Sequence, residues 1–131
     1  HAQYTNFGIK PEWFTHKSEI LAGHCRDVDR DFEEITRSAN FNIVCAGTEN
    51  EVAERIGAIQ SRLEKYVPPE KAVEQVRLYR HNSGTPEQVI TSLKEWEALG
   101  LGYAIVYFPD TAYDLSSLEL FASEVIPAFA G

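Results

Sequence analysis

A short stretch in the middle of the chain, SGTPEQ at 83–88, has residue types that could hold a phosphate group. A glycine followed by a helix start presents free backbone N–H groups, and the helix dipole favours an anion there. The same residues also have a structural explanation, because Thr85 with Gln88 matches a capping box and Pro86 suits the first helical position. Glu87 in the first turn would repel a phosphate. We therefore favour a helix start over a phosphate site.

Two polar residues directly before this stretch, Arg80 and His81, could do chemistry. A guanidinium group could hold an anionic substrate or stabilise an oxyanion, and an imidazole could move a proton near neutral pH. We predict both as catalytic residues at the end of a strand, and expect Ala at either position to lower turnover by at least about tenfold. The alternative is that both are solvated loop residues.

The two cysteines and the two histidines of the first helical segment have simple structural explanations. Cys25 and Cys45 are predicted to be buried free thiols in a reducing environment, which predicts a cytoplasmic protein. His16 and His24 lie in one helical pattern without a third ligand at a suitable spacing, so we predict surface histidines and no metal site. The sequence has no nucleophile elbow, P-loop or Cys-x-x-Cys motif.

Short apolar segments alternate along the chain with longer segments of helical period. The predicted elements are strand 2–7, helix 11–28, strand 37–47, helix 48–66, a weak strand within 76–81, helix 85–100, strand 101–108 and helix 114–129. Four strand–helix units require parallel strands joined by right-handed crossovers, which predicts an α/β fold. Four β-α units make either a small open sheet or half of a TIM-type (β/α)8 barrel.

In a parallel barrel the working groups collect at the C-terminal ends of the strands. That rule selects Asn6 and Phe7, Cys45 and Ala46, Arg80 to Ser83, and Phe108 to Asp110.

Length and charge narrow the functional classes. The chain has 131 residues, so we predict a single domain over 1–131. Its formal net charge of −8 predicts that it does not bind nucleic acid, since an acidic surface repels phosphates. No apolar stretch approaches the roughly 18 residues of a membrane span, so no membrane association is predicted.

Several stretches carry a family resemblance. They are AQYTNFG, EITRSANFNIVCAGTENEVAERI, SGTPEQVITSLKEWEALGLGYAIVYFPD and LELFASEVIPAF. Together they resemble the C-terminal half of the luciferase-like monooxygenase family, in particular members that use the deazaflavin coenzyme F-420 instead of FMN. The resemblance implies half of a TIM-type barrel that supplies part of a coenzyme site. It also implies that Asn6 hydrogen-bonds the coenzyme ring and that Phe7 stacks on it; core packing is the alternative for Phe7.

The function implied by the resemblance is that of a flavin- or deazaflavin-dependent oxidoreductase acting on a small molecule by monooxygenation or hydride transfer. The resemblance places the phosphate-binding turn before His1, so we expect this chain alone to bind no coenzyme and to be inactive. The expected partner is the N-terminal half-barrel or a second copy of the chain, either of which would cover strand edges and an apolar inner face. The alternative function is a non-catalytic, self-associating α/β half-barrel fragment.

Overall fold

The computed structural model describes residues 2–8 and 10–130. Its main elements are β1 (Tyr4–Asn6), α1 (Pro11–Asp27), β2 (Thr36–Asn42), α2 (Glu49–Leu63), α3 (Pro69–Arg80), α4 (Pro86–Ala98), β3 (Tyr103–Tyr107) and α5 (Ser116–Leu120). Short 3-10 turns lie at Phe32–Glu34 and Ile126–Ala128, and a π-helical turn lies at Phe121–Val125.

The three strands form one sheet in the order β1-β2-β3, which is also their order in the sequence. β1 and β2 are parallel, with Tyr4 opposite Thr36 and Asn6 opposite Ser38. A parallel pair needs a crossover, and α1 supplies it between β1 and β2. The predicted α/β class is confirmed.

The strand predicted within 76–81 is wrong, because this segment belongs to helix α3. Ala72, Val76 and Tyr79 are its buried residues, and their spacing of four and three places them on one helical face. Pro69 occupies the first turn, where its missing N–H costs nothing. The described residues therefore contain three strands instead of four, and α2 and α3 lie in the chain between β2 and α4.

The contacts divide the chain into two compact units. The first contains the residues up to Phe41 together with Lys94–Val106. Its core is built on Trp96 of α4, which is 1% exposed and meets Phe41 and Phe14 edge to face at ring distances of 5.0 and 5.6 Å. Phe14 belongs to α1, Trp96 to α4 and Phe41 to β2. This aromatic cluster therefore fixes α1 and α4 to one face of the sheet.

The second unit contains Asn42–Leu93 together with the residues from Tyr107 onward. Its core joins the segment after β2 to α2 and α3 through a cluster of buried apolar side chains. These are Val44, Ala46, Val52, Ile56, Ile59, Val76 and Tyr79, with Leu63 packed against them. The helix predicted for 114–129 begins as α5 but changes to a π turn and then a 3-10 turn. Pro127 explains this change, because its ring cannot continue an α-helix.

We expect Gly84→Ala to lower the free energy of unfolding by about 1–3 kcal/mol. A Cβ at Gly84 would lie 2.5 Å from Oε1 and 2.8 Å from Cβ of Gln88, so the helix start would have to move. Gly57→Ala is the control: it lies exposed inside α2 with nothing within 4 Å of the added Cβ, and should raise stability by about 0.5–1 kcal/mol. Urea unfolding of both variants measures this, and equal shifts would contradict the steric argument.

Candidate functional site

The C-terminal end of β1 carries an exposed pair of carboxamide side chains. Asn6 Nδ2 donates a hydrogen bond to Asn40 Oδ1 at 3.1 Å. Asn6 lies opposite Ser38, and side chains alternate along a strand, so Asn6, Ser38 and Asn40 share one sheet face. Ala39 and Phe41 point to the other face and are buried against the helices. The apolar inner face predicted for the sheet is therefore wrong for β1 and β2, since this face carries amides and a hydroxyl.

Phe7 follows Asn6 but packs in the opposite direction. Its ring meets Phe14 of α1 edge to face, with the ring centroids 6.1 Å apart. Phe7 also lines a shallow, mainly apolar depression along α1, together with Ile20 and Leu21. The geometry thus supports the core-packing alternative for Phe7, whereas Asn6 stays available to a ligand.

Arg80 and His81 do not lie at the end of a strand. Arg80 is the last residue of α3, His81 follows it, and both are exposed. Within the part of the chain that the structure describes, neither side chain forms a hydrogen bond or an ion pair. The strand-end position that motivated their catalytic role is wrong, for the same reason that the third strand is wrong; the role itself stays a prediction.

The stretch from Ser83 to Gln88 is used by the fold. The Ser83 hydroxyl accepts from the Val44 N–H at 2.8 Å and donates to the Tyr79 carbonyl at 2.6 Å. Gly84 forms a parallel bridge with Cys45, just beyond β2. The Thr85 N–H is bound by Gln88 Oε1 at 3.0 Å. These bonds occupy the Ser83 hydroxyl and the Thr85 N–H, and they support the helix-start interpretation.

A buried polar cluster lies just after β3, in the second unit. The carboxylate of Asp110 is 4% exposed, and its Oδ2 accepts from Ser117 Oγ at 2.9 Å and from Arg55 Nη1 at 3.3 Å. Ser117 Oγ also accepts from the N–H of Cys45 at 3.2 Å. The cluster therefore joins the segments after β2 and β3 to α2. Strand-end position selected Cys45 and Asp110 from sequence, but no local signal identifies Arg55 or Ser117.

The two aspartates that contact Arg55, Asp110 and Asp114, differ in their burial and in their hydrogen bonds. Asp110 Oδ1 is buried, and none of the described residues donates a hydrogen bond to it. Asp114 also pairs with Arg55 Nη1 at 3.3 Å but is 48% exposed. Hydrogen bonds from the Ser116 side chain and backbone, with help from Arg55, hold the pKa of Asp114 below its usual value. The arrangement fixes a loop by hydrogen bonds, with Asp110 as its buried anion.

Burial raises the pKa of the Cys45 thiol from 9.0 to about 11, partly offset by the positive charge of Arg55. The unfolded chain then loses this proton before the folded protein does. Stability is therefore expected to fall as pH rises between about 9 and about 11, by roughly 2–3 kcal/mol in total. Urea unfolding at several pH values measures the fall. Cys45→Ala should flatten it, while Cys25→Ala should not; identical slopes in both variants would contradict the assignment.

Within residues 2–8 and 10–130, no group of three or more His, Cys, Asp or Glu side chains could hold a metal ion. His16 and His24 are both exposed, as predicted for surface residues. No helix in the described ranges has the length and apolar character needed to cross a bilayer.

Comparison with known proteins shows likeness in structure but not in sequence. No family model and no curated protein matches the chain. The coenzyme F420 dependent tetrahydromethanopterin reductase from Methanopyrus kandleri matches with a TM-score of 0.67 and 15% identity, over 98% of this chain and 46% of that one. The long-chain alkane monooxygenase LadA matches with a TM-score of 0.70 and 14% identity, over 97% and 36%.

A third structure, riboflavin lyase RcaE with modified FMN and the substrate riboflavin, matches with a TM-score of 0.67 and 16% identity. It is covered over 38% of its length by 97% of this chain. The chain thus spans less than half of each of these three proteins. These likenesses show the fold, which is α/β and corresponds to part of a TIM-type barrel.

Proposed function

We propose that this chain is the C-terminal portion of a luciferase-like, flavin- or deazaflavin-dependent oxidoreductase. The observation that carries the proposal is the fold match over 97–98% of the chain to enzymes named for coenzyme F420, FMN or monooxygenation. The whole activity would belong to a protein about two to three times as long, because the chain covers 36–46% of these three enzymes.

Within such an enzyme, the bound coenzyme would supply hydride transfer or oxygen activation, and this chain would supply binding and orientation. Asn6 fits the predicted coenzyme contact, since it is exposed at the end of β1 on the face away from the helices. Its carboxamide offers both a donor and an acceptor and does not ionise, so it holds a ring in place without moving protons. Asp110 and Ser117 keep the segment after β3 in place by their buried hydrogen bonds.

The partner that we propose for this chain is the N-terminal half-barrel of the same protein. We also propose that the whole protein is cytoplasmic and acts on a small-molecule substrate. β1 lies at one end of the sheet order and, among the described residues, pairs on one side only, with β2. A strand with one unpaired edge accepts another strand readily, so a further strand of the same protein would complete its hydrogen bonds.

The experiment is a coenzyme titration of the full-length protein that contains this chain. Purified protein is mixed with FMN or with coenzyme F420, and bound coenzyme is measured by fluorescence and by absorbance after gel filtration. We expect one of the two to bind and to support reduction or oxygenation of a small substrate. Full-length protein that binds neither coenzyme, while folded by circular dichroism, would contradict the proposal and favour the non-catalytic alternative.

A further inference from the structure

We propose that the face of α1 beside β1 is the docking surface for an acidic, amphipathic helix of the N-terminal half, an inference that rests on the proposed function. The surface is a mainly apolar depression of about 240 Å³, lined by Thr5, Phe7, Lys17, Ile20, Leu21 and His24. These residues come from β1, the residue after it and α1, and none of them comes from β2. The depression therefore lies toward the edge of β1 that has no strand partner among the described residues.

The α1 side of this docking surface is one helical face. Lys17, Ile20, Leu21 and His24 are separated by the steps of three, four and seven that bring side chains together on a helix. Ile20 is 47% exposed, whereas Phe14 on the same helix is fully buried against the sheet side. A single exposed aliphatic side chain is ordinary, but this one lies in a depression with other apolar walls. Helix α1 thus carries a second apolar strip besides the one that packs on the sheet.

The topology of the sheet favours a helix as the occupant. The strands lie in sequence order, and neighbouring parallel strands are joined by right-handed crossovers. A strand of the preceding chain on the open edge of β1 would reach β1 through such a crossover. Since both crossovers would run in the same direction along the sheet, the helix of the added unit would lie beside α1 on the same face. Chain for this unit exists in the three matched enzymes, because this chain covers only 36–46% of them.

The charges of the docking surface favour acidic side chains on the facing helix. Lys17 and His24 are exposed and flank Ile20 and Leu21 along α1. Neither basic side chain forms a hydrogen bond or an ion pair with any of the described residues. Asp or Glu on the facing helix would supply the missing acceptors. A two-fold contact between copies of this chain would instead bring the same basic residues together, so a second copy fits this surface less well.

Thiol labelling of the full-length protein tests whether the surface is covered. Ile20→Cys and the control Val73→Cys place a new thiol at positions that are 47% and 46% exposed in this chain, and both native cysteines are buried. We expect N-ethylmaleimide to label the Ile20→Cys variant at least about tenfold more slowly than the Val73→Cys variant, because labelling then requires local opening. Equal rates, with both variants folded by circular dichroism, would contradict the proposal. Slow labelling that becomes fast on dilution would assign the surface to a second copy and also overturn it.

The acidic character of the facing helix is tested in the same background. Lys17→Glu combined with Ile20→Cys should raise the labelling rate at least about threefold, because like charges would then face each other. Lys65→Glu is the control, since it reverses an exposed charge beyond the end of α2 and should leave the rate unchanged. Equal rates in these two variants would contradict the acidic partner.

The two proposals fail separately. A slowly labelled Ile20→Cys variant of a protein that binds neither coenzyme would overturn the proposed function and support the docking surface. A rapidly labelled variant of a protein that binds a coenzyme would overturn the docking surface and support the proposed function.

Discussion

Trp96→Ala is expected to lower the free energy of unfolding by about 3–5 kcal/mol, the largest effect of any single substitution considered for this chain. Trp96 is 1% exposed and contacts both Phe14 and Phe41 edge to face. Removing the indole ring deletes the group through which α1, α4 and β2 pack together. The surrounding rings belong to different elements, so they can fill the resulting cavity only in part.

The chain contains a matched control, since Trp13 is its second tryptophan. Trp13 is 57% exposed on α1, so Trp13→Ala removes the same side chain from a largely solvated position. We expect its unfolding free energy to stay within about 1 kcal/mol of wild type. Chemical denaturation followed by circular dichroism compares the two variants without relying on tryptophan fluorescence. A Trp96 variant as stable as the Trp13 variant would show that the aromatic cluster does not hold this unit together.

Asp110→Asn is expected to have the second largest effect, a loss of about 2–4 kcal/mol of stability. The substitution keeps the size of the side chain but removes the charge that Arg55 faces at 3.3 Å and that the Ser117 hydroxyl donates to at 2.9 Å. Because the Asp110 carboxylate is 4% exposed, water cannot replace these interactions. The loss should change little with added salt, since buried pairs are poorly screened.

Asp114→Asn is the matched control for this prediction. Asp114 faces the same Arg55 Nη1 at the same distance of 3.3 Å, but its side chain is 48% exposed. The two variants therefore lose a contact to the same Arg55 atom at the same distance but differ in burial and in the serine that donates to each carboxylate, Ser117 for Asp110 and Ser116 for Asp114. We expect Asp114→Asn to change stability only slightly and to lose that small effect in high salt. Equal losses in the two variants would mean that the pair strength depends on distance alone. Arg80→Ala provides a further control for these stability measurements. It removes an exposed guanidinium from the C-terminal end of α3.

The sequence alone identified the elements whose signals are local. Thr48 is the N-cap of helix α2 as predicted, with its hydroxyl accepting from the Glu51 N–H at 3.2 Å. The carboxylate half of the predicted capping box binds a neighbouring group, the N–H of Gly47. The helix at Pro86 and the apolar strand before Phe108 were also predicted, because caps and periodicity act over a few residues. From these elements the α/β class follows directly.

The segment at 76–81 shows where local patterns fail. Val76 and Leu78 alternate as in a strand, yet Ala72, Val76 and Tyr79 also follow a helical period. Six residues fit both periods, and only packing against α2 decides in favour of the helix, through a core that includes Val76 and Tyr79. The catalytic prediction for Arg80 and His81 depended on this choice and lost its positional basis with it.

The tertiary structure determines which side chains come together in the candidate sites. Asn6 and Asn40 are 34 residues apart, and Cys45 and Ser117 are 72 apart, so their hydrogen bonds have no trace in any local pattern. Strand-end position selected Asn6, Cys45 and Asp110 because parallel strands end at one edge of a sheet. It could not select Asn40, Arg55 or Ser117, because the register of β1 on β2 and the packing of α2 and α5 determine which side chains meet there. The sequence by itself determined the class of fold, while the register and packing determined which polar groups face one another.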